Sequence, residues 1–94
     1  MAYEFGCIVP PVVLQDEDFT VTEKLVFGVI GHEIFTEGQM FYKPEVAEAA
    51  GVSMKKVKDT IEKSLDKGYL LVEPHEEDAR KFYKAGKPTR GFLG

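Results

Sequence analysis

Apolar residues recur at helical spacing in three stretches of the chain, and the residues between them carry the chemistry of turns. The first 19 residues stand apart from this pattern. Phe5 to Val9 is a short apolar run ended by Pro10-Pro11, which suits a short N-terminal strand or arm, and Gln15 to Asp18 forms a polar turn. Thr20 then opens a helix. With Glu23 three residues on it has capping-box form, in which each side chain satisfies the other's free backbone N–H. Val21, Leu25 and Val29 share one face of this helix, with Val26 and Ile30 beside it and Phe27 and Ile34 opposite. A helix apolar nearly all round needs cover on two sides. Val21, Leu25 and Val29 are expected to meet the third helix, while Phe27 and Ile34 meet the N-terminal segment or a second copy in a homodimer. Gly28 and Gly31 each cost ~1 kcal/mol inside a helix, so they serve a close crossing or the helix ends near Gly31.

The next two stretches lie close together. Pro44 fits the first position of a short helix that Gly51 ends in a left-handed conformation. Ser53 caps a third helix, about Met54 to Asp66, which stops at Gly68. Ala47, four residues before Gly51, is small enough for two helices to cross closely. Val46, Ala50 and Val52 line the turn, and Val57, Ile61 and Leu65 continue one inward face. This is the steric pattern of a helix-turn-helix over residues 43–67. It runs directly into Tyr69 to Val72, a strand closed by Pro74.

The C-terminal part reads two ways. His75 to Ala85 has acids first and bases last before Gly86, which suits a helix dipole. Arg80 to Lys84, a turn at Ala85-Gly86-Lys87, and Thr89 to Leu93 also make a β-hairpin, which is the preferred reading. The predicted fold is therefore α+β: a winged helix-turn-helix with a three-helix core, a C-terminal β-hairpin wing over about 69–93, and the N-terminal strand or arm.

Ninety-four residues, 44% of them hydrophobic and 30% charged, are enough for one globular domain. Cys7 is the single cysteine, which rules out an intrachain disulfide. The first ten residues hold Glu4 and no basic flank, so no secretion signal is expected, and no apolar stretch is long enough to span a membrane. A cytoplasmic location follows as the expectation. The net charge of −4 changes the picture once it is divided. Residues 1–41 hold seven acids against Lys24 alone, whereas residues 42–94 hold nine acids and eleven bases. A basic face on the C-terminal half is compatible with an acidic back.

From Ile8 to Val72 the chain resembles the winged-helix domains at the start of phage and plasmid replication-initiator (replisome-organiser) proteins. The resemblance rests on Ile8-Val9-Pro10 with Asp16, on Phe19-Thr20 and Glu23 to Ile30, on Ala50-Gly51-Val52-Ser53, and on Lys67-Gly68-Tyr69-Leu70. It implies a DNA-binding domain that in such proteins often precedes a domain recruiting other factors.

The residues themselves point the same way. On the third helix Lys55, Lys56, Asp59 and Lys63 face outward, and Lys55, Lys56 and Lys58 crowd the first turns, where the helix dipole disfavours cations. Ser53, Lys55, Lys56, Lys58, Asp59 and Lys63 are thus the expected contacts to double-stranded DNA. The competing reading is an ordinary solvated ion-pair row, Lys55-Asp59-Lys63. In the expected wing Arg80, Lys81, Lys84, Lys87 and Arg90 supply five bases within eleven residues, and no acid lies between Arg80 and Gly94. Such side chains suit a minor groove or the adjacent backbone. The leading expectation is a DNA-binding regulator of replication or transcription. The alternative is a protein-binding winged helix, such as a phage-encoded inhibitor of a host protein, using acids of the N-terminal half (Glu4, Asp16, Glu17, Asp18, Glu33, Glu37). No enzyme, metal or cofactor is expected. His32-Glu33 lacks the second histidine of a zinc-peptidase helix, His75 follows Pro74 as a surface residue, Cys7 has no neighbouring base, and Gly86-Lys87 lacks the glycines of a phosphate loop.

Overall fold

The computed structural model describes residues 7–37, 41–73 and 82–89. They form a small α+β domain with the elements α1 (Pro11–Leu14), α2 (Val21–Glu37), α3 (Lys43–Ala50), α4 (Met54–Asp66), β1 (Leu70–Glu73) and β2 (Phe82–Ala85), followed by a 3-10 turn, Lys87–Thr89.

The N-terminal residues do not build a strand among the described positions. Residues 7–10 lie along α2, where the Ile8 N–H donates to the Gly28 carbonyl at 2.9 Å. A Cβ on Gly28 would overlap Cys7 Sγ and Val9 Cγ2, so this glycine serves the passage of the N-terminal segment rather than a helix crossing. Pro10-Pro11 starts a helix instead of ending a strand: Pro11 occupies the first position of the single turn α1, where its missing N–H costs nothing. That turn buries Val13 and Pro10.

The capping box forms as expected, with Glu23 N–H donating to Thr20 Oγ1 (3.1 Å) and Thr20 N–H to Glu23 Oε1 (2.9 Å). From there α2 continues through Gly31 to Glu37. The expected cover on two sides is met only in part, because Val21 and Leu25 stay at the surface. Val26, Phe27, Val29, Ile30 and Ile34 are buried, while Val21 is 74% and Leu25 50% exposed. Phe27 packs inside the chain in a triangle with Phe19 and Tyr69, ring centroids 5.8–6.4 Å apart. Its burial removes the reason given for a homodimer through that face.

Both helices of the central pair end alike. Gly51 (φ 70°) lets its own N–H reach Glu48 O and the Val52 N–H reach Ala47 O; Gly68 (φ 74°) does the same for Leu65 O and Ser64 O. Each is a Schellman ending that satisfies carbonyls the helix leaves open. Ala47 and Val46 are buried where α3 packs against α2 and α4. On α4, Val57 and Ile61 point inward as expected, Leu65 is half-buried, and Thr60 and Ser64 are fully buried. The last two satisfy their hydroxyls on α4 itself, Thr60 Oγ1 donating to Lys56 O (2.8 Å) and Ser64 Oγ to Thr60 O (2.7 Å).

β1 and β2 form a two-stranded antiparallel sheet with Leu70 opposite Ala85 and Glu73 opposite Phe82. The expected partner of residues 80–84 was the segment 89–93, with a turn at Gly86. Among the described residues β2 pairs with β1, and Thr89 sits in the 3-10 turn; residues 90–93 lie outside the described residues. The cause is local. The Tyr69 carbonyl accepts both the Gly86 N–H (2.9 Å) and the Thr89 hydroxyl (2.7 Å), which ties the chain after β2 to the start of β1. A Cβ on Gly86 would overlap the Gly68 carbonyl, so glycine is required there by contact and not by turn geometry. Strand β2 settles residues 82–85 of the helix-or-strand alternative; His75 to Lys81 lie outside the described residues. Among the described residues no helix is long and apolar enough to cross a membrane.

Candidate nucleic-acid interface

Ser53 is extended (φ −75°, ψ 160°), and its Oγ accepts the Lys56 N–H at 3.2 Å, so the hydroxyl oxygen is committed to starting α4. This cap leaves the first turns of α4 at the surface. Lys55 is 84% exposed, Lys58 is exposed and Lys56 half-buried, and no acid occupies the first turn. Lys55 Nζ pairs with Asp59 Oδ2 at 2.9 Å; Lys56 and Lys58 make no ion pair among the described residues. Three cations thus add to the positive end of the helix dipole.

Lys63 does not belong to this set. Its Nζ turns toward the α1–α2 connection, 2.9 Å from Glu23 Oε1, 2.7 Å from Asp18 O and 5.4 Å from the Phe19 ring centre. The expected Lys55-Asp59-Lys63 row therefore breaks after Asp59. A carboxylate in the core's rim offers Lys63 more than a solvated one does, because the Glu23 side chain is only 5% exposed. Burial pushes the Glu23 carboxyl up, but the Thr20 N–H and Lys63 outweigh it and the net direction is down.

One turn later Lys67 is committed in the same way. It reaches Asp16 Oδ2 (2.8 Å) and Asp18 Oδ2 (2.6 Å), and the Tyr69 hydroxyl donates to Asp16 Oδ2 (2.6 Å). The hydrogen bond from Lys67, then that from Tyr69, hold the Asp16 carboxyl at about 2. Asp16 in turn raises the Lys67 ammonium and the Tyr69 phenol. Sequence reading missed this cluster, since its members lie up to 53 residues apart and share no periodicity. It also changes the alternative partner surface, because Asp16 is committed within the chain, while Glu17 and Asp18 of the same turn stay exposed, Asp18 paired with Lys67.

Of the expected wing residues, Lys84 lies on β2 opposite Leu71, and Lys87 opens the 3-10 turn. Arg80, Lys81 and Arg90 lie outside the described residues, as do Glu4 and His75. Burial raises the Cys7 thiol, which donates to the Leu25 carbonyl at 3.9 Å. Among the described residues no group of histidine, cysteine and carboxylate side chains could hold a metal ion. No protein-family model matches the chain, and no curated protein or solved structure matches it either.

Proposed function

We propose that the chain is a winged-helix DNA-binding domain, with α3 and α4 as the helix-turn-helix and α4 as the helix that enters the major groove. The observation that carries this reading is the charge order of α4. Its first two turns hold Lys55, Lys56 and Lys58 against the single acid Asp59, which pairs with Lys55, while Lys63 and Lys67 nearer its end are turned inward onto acids. Cations at a helix start work against the dipole by tenths of a kcal/mol each, and they gain when a phosphate comes to meet them. The antiparallel pair β1–β2 follows α4 directly, as a wing does, and it carries Lys84, with Lys87 in the turn beyond; the sequence adds Arg80, Lys81 and Arg90 as further bases for the neighbouring backbone. A role as a phage- or plasmid-type regulator of replication or transcription fits such a module.

Fluorescence anisotropy with random-sequence duplex at two salt concentrations tests the proposal. The slope of log affinity against log salt is about −0.9 per phosphate neutralised, so a steep slope is expected for the wild type. K55E/K56E should abolish binding without unfolding the domain. Wild-type affinity in that variant would overturn the assignment of α4.

A second reading, a protein-binding module, is favoured by the exposed Val21 and Leu25, one turn apart on α2. Under it V21D/L25D would lose the partner while K55E/K56E would keep it.

A further inference from the structure

We propose that the Lys55–Asp59 pair reads a single C·G base pair in the major groove, with Asp59 as the residue that sets specificity. The inference rests on the DNA-binding reading of α4. Lys55, Asp59, Glu62 and Asp66 share the outward face of the helix. At ~1.5 Å of rise per residue, Asp66 lies about 16 Å beyond Lys55, more than the roughly 12 Å width of the groove. A helix laid across the groove would press Glu62 and Asp66 against phosphates. An end-on approach through the first two turns avoids this, and Asp59 is then the one carboxylate carried to the floor of the groove.

A carboxylate there repels phosphate and finds its match in an exocyclic amine. Cytosine N4 is such a donor, and Asp or Glu accepting from it is a known form of direct readout. Lys55 completes the match. Its Nζ stands 2.9 Å from Asp59 Oδ2, so the protein presents a donor and an acceptor one hydrogen bond apart. A C·G pair presents the complementary acceptor and donor, guanine O6 and cytosine N4, which are themselves hydrogen-bonded to each other. Guanine N7 next to O6 gives the ammonium a second acceptor. A T·A pair offers a donor and acceptor too, but the thymine methyl stands beside its O4. The pair also explains why an acid stands among the lysines: while free, Asp59 holds Lys55 in position, and once docked it discriminates.

The test selects 16-base-pair duplexes from a random pool with the wild type and with D59A, and compares base preference at each position. Both residues of the pair are solvent-facing, so D59A should keep the wild-type melting temperature to within a degree or two. The wild type should fix C·G at one position by about tenfold, and D59A should lose that preference alone while binding unselected duplex more tightly. Replacing that guanine by 7-deazaguanine should weaken the wild type and leave K55A unaffected. The inference is overturned if D59A selects the same sequence as strongly as the wild type, or if the wild type enriches A·T at the position that D59A relaxes; DNA binding by α4 would survive either result. Failure of the wild type to retain any duplex at low salt overturns both.

Discussion

Replacing Lys63 by methionine separates a structural lysine from a DNA contact, because it keeps an unbranched aliphatic side chain and removes the charge that stands over Phe19. In the folded chain the Glu23 carboxylate, 5% exposed, would lose the cation at 2.9 Å and keep the Thr20 N–H, while the Asp18 carbonyl would lose its 2.7 Å donor. Breaking a fully buried ion pair costs about 3–5 kcal/mol, and an exposed pair contributes about 0.2–1 kcal/mol. Here one partner is buried and the other 34% exposed, which places the loss between these limits, at about 2 kcal/mol. For a domain of this size each kcal/mol lowers the melting temperature by about 4–8 °C, so K63M should melt about 8–16 °C below the wild type. Circular dichroism melts of K63M, E23Q and the double variant complete the cycle. K63M should cost about 1 kcal/mol less in the E23Q background, where no buried charge is stranded. DNA affinity of folded K63M at matched salt should equal that of the wild type. An unchanged melting temperature together with a lost phosphate contact, seen as a shallower salt slope, would refute the reasoning and return Lys63 to the interface.

That prediction could not have been framed from the sequence, and the reason is physical. The signals that a sequence carries well are local: the Thr20–Glu23 box, the Ser53 cap, and the left-handed glycines 51 and 68 each depend on neighbours within a few residues. The inward face of α4 was legible because its other face is charged. α2 offers no such contrast, and its burial is decided by Phe19, Tyr69 and the N-terminal segment, none of which its own periodicity reports. The same holds for charge. Lys63 and Lys55 have the same spacing from Asp59, yet Lys63 finds Glu23 forty residues away. Gly86 marked a turn in the sequence, while the contact that demands glycine is the Gly68 carbonyl, brought there by the pairing of β2 with β1. The lysines left at the surface after these internal pairings define the proposed site.

Three further outcomes follow from the packing. A47L should overpack the α3–α4 crossing by about 1–3 kcal/mol, read as a fall in the urea midpoint; an unchanged midpoint would mean that the helices do not meet at this residue. G86A should lie near the upper end of the same range, since the obstructing atoms are backbone and cannot swing aside, and a melt within a degree or two of the wild type would count against the Gly68–Gly86 contact. The last outcome concerns acid. Asp16 ionises at about 2 when folded against an ordinary 3.8, so above about pH 4 it is charged in both states and its contribution is complete. As pH falls from about 4 towards 2, the unfolded chain takes up the proton first and the contribution is lost; below about 2 both states are protonated and nothing more is lost. The Glu23 carboxyl, also lowered, adds to the decline in the same direction. Lys67 and Tyr69, both raised, act at the other end, where stability is lost as pH climbs through about 10 and beyond. Urea midpoints at pH 7, 4, 3 and 2.5 should therefore fall mostly below pH 4, and D16N, less stable at pH 7, should fall less steeply there. Parallel curves for D16N and the wild type between pH 4 and 2 would show that the clamp of Lys67 and Tyr69 on Asp16 does not form in solution.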